Sequence, residues 1–188
     1  MMRPDRLDRA NRGFTLVELI VTVAILGIVA AIAAPSWLAL LTRQRLYDAR
    51  ANALDKIREA QSQALRTSRP WEVCFRDVDG MVWVSVQPGD RTNKCANHTG
   101  WQPLLESGAN MVAIKTGTPG TTAALGNPTT GYSIRFGALG DRIGMGATPQ
   151  QIVFIPRGQN KGPFYCVVSE TIVGSMREGT IRSGTQCR

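Results

Sequence analysis

The sequence predicts an α+β chain in which one long N-terminal helix packs on an antiparallel β-sheet head. Three observations predict it. An apolar run opens the chain and passes without a turn signal into an amphipathic helical pattern that lasts to about Thr67. From Arg69 onward the pattern changes to short alternating runs rich in β-branched and aromatic residues, separated by Gly, Pro and Asp. No second long helical pattern follows, so a single helix must serve as the spine for the sheet. At 188 residues, the chain has room for one modest domain plus appendages.

The apolar run, Phe14 to Ala34, is 21 residues long and carries one charge, Glu18. At 1.5 Å per residue it reaches about 30 Å, enough to cross the hydrocarbon core of a bilayer. Arg3, Arg6, Arg9 and Arg12 precede it, which predicts a cytoplasmic N-terminus and an exported C-terminal part. An ordinary secretory signal would place small residues for cleavage after the apolar run. Gly27 and Pro35 interrupt the pattern. Proline removes one backbone hydrogen bond, so Pro35 either bends and loosens the preceding turn or ends one helix and opens another.

Beyond Pro35, Trp37, Leu38, Leu41, Leu46, Ala49, Ala53, Ile57, Ala60 and Ala64 recur at three- and four-residue intervals, with charged residues mostly between them. A small-residue face of this kind lets a sheet approach closely. A helix from Phe14 to Thr67 would be about 80 Å long, too long for a head of this size to cover, so half of it should project. Candidate strands are Trp71–Arg76, Met81–Val86, Met111–Lys115, Tyr132–Phe136, Gln151–Ile155, Phe164–Ser169 and Thr180–Arg182. The first two are joined by the turn signal Asp77-Val78-Asp79-Gly80. Residues 117–131 and 137–149 have the composition of long loops.

Arg12-Gly13-Phe14-Thr15-Leu16-Val17-Glu18, followed by the apolar helix and then Pro35, resembles the prepilin peptidase site of type IV pilins and type II secretion pseudopilins. The resemblance implies a pilin-like fold with a leader over 1–13, a transmembrane or filament-core helix over 14–35, an amphipathic half-helix over 36–68 and a β-rich head over 69–188. It implies cleavage between Gly13 and Phe14 by prepilin peptidase and methylation of the new Phe14 amine. It gives Glu18 and Pro35 roles in assembly with other pilins at an inner-membrane platform, and places the protein in the inner membrane and then in a pilus or pseudopilus. A carboxylate inside a bilayer costs on the order of 2.5–3.5 kcal/mol on insertion scales. The Phe14 amine of a neighbouring subunit is the nearest cation able to compensate Glu18, and that pairing would favour one axial register of staggered helices.

The end of the helix before Trp71-Glu72-Val73-Cys74, the run Ile152-Val153-Phe154-Ile155-Pro156-Arg157-Gly158 and the strand Tyr165-Cys166-Val167-Val168-Ser169 resemble the pseudopilin H / FimT-like branch. That branch implies a minor subunit acting at filament initiation or at the tip. Some of its members bind DNA through a C-terminal Gly-Arg-X-Arg pattern. This chain departs from the pattern but carries Arg177, Arg182 and Arg188 around Glu178. If they touched phosphates, each would add about 0.9 to the salt slope of binding. The other reading is a solvated tail. The net charge of +8, about +6 without the leader, suits either solubility or a polyanion partner, so a pilus-borne DNA receptor stands as the alternative function.

Cys74, Cys95, Cys166 and Cys187 all lie past the apolar run, where export predicts disulfides. Four cysteines admit three pairings. Cys74–Cys95 and Cys166–Cys187 are favoured, each closing a 20-residue loop worth about 3 kcal/mol in the loop-entropy model. No cysteine pair has the C-x₂₋₄-C spacing of a zinc knuckle, so no metal and no cofactor is expected. The single histidine, His98, lies in the loop-like Asn97-His98-Thr99-Gly100 and reads as a surface residue, and no acid/base pair suggests an enzyme.

Overall fold

The computed structural model describes residues 13–89, 95, 97–118, 121–124, 131–143, 150–159, 164–171, 173–181 and 187–188. The chain divides into two units, Met1–Leu40 and Leu41–Arg188. One helix, α1, spans Leu16–Thr67. It runs without interruption through Pro35, so of the two readings of that residue the helix end at Ala34 does not occur. Proline there still leaves the carbonyl four residues upstream without its helical donor.

In the first unit, the large side chains from Phe14 to Leu40 lie open on all sides of the helix. Such a surface is stable only when lipid or other protein covers it.

Among the described residues of the second unit, ten antiparallel strands form two sheets. The first contains β1 (Trp71–Val78), β2 (Met81–Pro88), β3 (Gln102–Pro103), β6 (Tyr132–Phe136) and β7 (Arg142–Ile143), in the order β3-β2-β1-β6-β7. The second contains β4 (Val112–Thr118), β5 (Thr121–Ala124), β8 (Gln150–Pro156), β9 (Phe164–Ser169) and β10 (Met176–Ile181), in the order β10-β9-β8-β4-β5. Asp79 and Gly80 both take positive φ, 54° and 76°, as a two-residue turn between right-twisted strands requires.

Leu46, Ala49, Ala53, Leu54, Ile57, Ala60 and Ala64 of α1 share one core with side chains from both sheets, among them Val73, Phe75, Val84, Phe136, Ile114, Phe154 and Val167. Alternation along β1 therefore turns Val73 and Phe75 towards the helix and Glu72, Cys74 and Arg76 to the opposite face. A second apolar cluster, Val153, Ile155, Cys166, Val168, Ile181 and Cys187, fills the far face of the second sheet.

The structure alters several expectations. The sequence suggested six or seven strands, whereas the described residues form ten, in two sheets. Thr121–Ala124, read as loop, pairs with β4 as a hairpin, and Arg142–Ile143 pairs with β6. The last strand begins at Met176, four residues before the expected Thr180. Arg182, residues 1–12, 125–130 and 144–149 lie outside the described residues.

Candidate functional site

Two places in the chain concentrate chemistry. The first is the start of α1. Gly13, Phe14 and Thr15 precede the helix, and Phe14 is 78% exposed. The Glu18 backbone N–H donates to Thr15 Oγ1 at 3.2 Å, and the Leu19 N–H donates to the Thr15 carbonyl at 3.1 Å. Thr15 is thus the N-cap and Glu18 the third helical residue, the spacing of a capping box. A carboxylate in the first turn also meets the positive end of the helix dipole. The peptide bond between Gly13 and Phe14 therefore sits outside the helix, two residues before its first turn, with no side chain on its N-terminal partner. Among the described residues, α1 is the one helix long and apolar enough to cross a membrane. Pro35 continues that helix, and its side chain lies outside the description.

The second is a buried polar cluster on the face of the first sheet turned away from α1. Cys95 and residues 97–101 lie across this face, anchored by the Cys74–Cys95 disulfide. Glu72 is fully buried. Its Oε1 lies 3.5 Å from Arg135 Nη2, and its Oε2 lies 3.6 Å from His98 Nε2. Burial pushes the Glu72 carboxyl up, but hydrogen bonds from His98 and Ser133 and the Arg135 charge outweigh it and hold the group below its ordinary value. His98 Nδ1 lies 3.2 Å from Ser85 Oγ, and that hydroxyl donates to the Thr99 carbonyl at 2.9 Å. Its proton being used there, Ser85 Oγ accepts from His98 Nδ1–H. Arg76 stacks on Trp101 at 4.0 Å, closing the cluster on one side.

His98 is therefore not the surface residue that its loop-like neighbours suggested: it is buried. The signal that would have found it is the alternation of β1. Glu72 shares a face with Cys74, so any loop that delivers Cys95 to Cys74 must also cover a carboxylate, and His98 follows three residues later.

The remaining candidates are dispersed. Cys166 is bonded to Cys187, so both disulfides follow the favoured pairing. Arg177 does not project freely: its Nε donates to Glu170 Oε1 at 2.7 Å and its Nη2 to the Cys187 carbonyl at 3.2 Å. Glu178 is paired with Arg50 on α1 at 2.9 Å. Arg188 is exposed, with its backbone N–H and carbonyl bonded to those of Thr180. Of the three arginines named from the sequence, Arg177 is engaged and Arg182 lies outside the described residues.

Comparison with known proteins finds two matched stretches. Residues 8–34 match the prokaryotic N-terminal methylation motif, and residues 51–171 match type II transport protein GspH. A 51-residue stretch is 47% identical to the type IV major pilin protein PilA of Myxococcus xanthus (strain DK1622), spanning 27% of this chain and 23% of that relative. No solved structure matches. The GspH match covers well over half of the chain and takes in the last third of α1 and most of the strands described above. The chain belongs to the GspH family of pilin-like proteins.

Proposed function

We propose that the protein is a minor pilin or pseudopilin, a structural and assembly component that acts at the initiation or tip of a type IV pilus or type II secretion pseudopilus. It inserts in the inner membrane as a single-pass chain with a cytoplasmic N-terminus. Prepilin peptidase cuts between Gly13 and Phe14, and the new Phe14 amine is methylated. The mature helix then joins other pilins, with Glu18 facing the Phe14 amine of a neighbour and Pro35 permitting local rearrangement of the helix over 14–35. The observation that carries this reading is the junction itself: an unhindered glycine peptide bond outside a capped helix, followed by an all-apolar surface with Glu18 as its single charge. The head, light in aromatics and rich in turns, suits a low-copy subunit better than a tightly packed bulk one.

The test is the mass of the N-terminal peptide of the protein purified from membranes. It should begin at Phe14 and carry one methyl group. A native protein that retains residues 1–13 overturns the proposal. The DNA-receptor reading gains no support from Arg177, whose guanidinium is already engaged. Salt-dependent binding of the purified protein to duplex DNA would revive it.

A further inference from the structure

We propose that Glu72, Cys74, Cys95 and His98 form a latent tetrahedral site for a thiophilic divalent cation of the zinc class, closed while Cys74 and Cys95 are bonded and opened when that disulfide is reduced. The ligand atoms already converge. Glu72 carboxylate oxygen, Cys74 Sγ and Cys95 Sγ all lie within 4.8 Å of one another. His98 Nε2 lies 3.6 Å from Cys74 Sγ and 3.6 Å from Glu72 Oε2. Zinc–ligand lengths of about 2.0–2.3 Å place neighbouring ligands of a tetrahedron roughly 3.4–3.8 Å apart. The histidine thus stands at coordination spacing from two of its partners, and only the two sulfurs must move, from bonded contact to roughly 3.8 Å.

The surroundings fit the same reading. Glu72 Oε2 is fully buried and faces His98 Nε2 at 3.6 Å, while Arg135 lies against the other oxygen. Ser85 Oγ accepts from His98 Nδ1–H, which turns Nε2 towards the same point. A ligand histidine whose other nitrogen is held by a hydrogen bond is the usual arrangement at metal sites. The knuckle spacing sought among cysteines is absent, but Cys95-x₂-His98 and Glu72-x-Cys74 supply two short ligand pairs, one on a loop and one on a strand. Asn97, Thr99 and Gly100, which flank His98, are exposed, so the covering segment can lift once its covalent tether is cut.

The chemistry balances with a phosphine as reductant. The phosphine and one water convert the disulfide to two thiols and phosphine oxide. Binding of the cation then releases the two thiol protons.

The test uses the full chain in detergent, reduced with a phosphine and titrated with cobalt(II). One equivalent should bind with tetrahedral ligand-field bands and thiolate-to-metal charge transfer, and the oxidised chain should show neither. Cys166→Ser/Cys187→Ser, which lacks the other cysteine pair, should bind as well as the wild type. Glu72→Gln and His98→Ala should each weaken binding at least about 10-fold, and Ser85→Ala, which removes only the group that orients the ring, by about 10-fold. Charge transfer that survives unweakened in both His98→Ala and Glu72→Gln would reveal a bare dithiol and overturn the proposal. So would loss of the signal in Cys166→Ser/Cys187→Ser, or a reduced chain that neither binds cobalt nor is refolded by it.

Discussion

Arg50 Nη2 stands 2.9 Å from Glu178 Oε2, joining the helix to the final strand. The guanidinium is nearly buried. It lies over the Tyr47 ring at 4.2 Å and near the Tyr165 ring at 5.3 Å, and donates to the Gly179 carbonyl at 3.4 Å. Glu178 is 38% exposed. The two ends of the pair are therefore unequal. Glu178→Gln leaves a charge in the interior, whereas Arg50→Met removes the charge and keeps the apolar stem. Chemical denaturation should show a loss of about 1–3 kcal/mol for Glu178→Gln and a smaller loss for Arg50→Met.

Glu18→Ala should leave membrane insertion and leader removal intact, since neither needs the carboxylate. Filament incorporation should fall at least about ten-fold, because the partner amine loses its counter-charge in an apolar setting. Glu18→Gln should behave the same way. Counting tagged protein in sheared filaments against total membranes measures it, and wild-type incorporation of both variants would refute the pairing.

Gly131 takes φ +65°, and a Cβ there would lie 2.7 Å from the Phe75 carbonyl oxygen and 3.2 Å from Cys95 Cβ. The obstacle is backbone, which cannot swing aside. Gly131→Ala should cost about 1–3 kcal/mol, while Gly158→Ala, where nothing lies within 4 Å, should be limited to the cost of its own positive φ. Thermal melts of the two variants side by side separate crowding from backbone strain.

Burial raises the Tyr132 phenol above its ordinary value of 10.0, and the Arg142 charge only partly counters it. The folded state therefore keeps the proton that the unfolded chain gives up. The stability this provides is complete below pH 10 and is lost as pH climbs towards the raised folded value, with a slope of up to about 1.4 kcal/mol per pH unit. Tyr132→Phe should flatten the alkaline limb of a stability-against-pH curve.

Separating Cys166 from Cys187 by Cys166→Ser/Cys187→Ser should cost about 2–4 kcal/mol. The loss should appear first as proteolysis beyond Ser169, because β10 sits outermost in its sheet and the bond ties Cys187, at the end of the chain segment that follows β10, back to Cys166 on β9.

The spine and the principal strands were legible because each rests on local periodicity. Tyr132–Phe136 and Phe164–Ser169 occupy the residues their patterns indicated. Thr121–Ala124 was not legible: small residues flanked by Gly and Pro carry no strand signal, and pairing with β4 decides the matter. The split into two sheets was hidden for a related reason, since it depends on which distant strands bond. Asp77 illustrates this. It read as part of a turn, yet its carboxylate accepts from Arg157 Nη2 at 2.7 Å, and the same guanidinium donates to the Val112 carbonyl, fastening one sheet to the other. The polar cluster was missed because His98 shows its partners only once Cys95 is delivered to Cys74.

The reciprocal bonds between Thr180 and Arg188, Thr180 N–H to Arg188 O at 2.6 Å and Arg188 N–H to Thr180 O at 3.2 Å, occupy backbone groups on the outer rim of β10. An unoccupied rim is a template on which another chain can add a strand. Heads crowded along a fibre, each offering such a template, would stick to one another out of turn. With part of that rim occupied by its own backbone, the head offers fewer free donors and acceptors on which another chain could add a strand.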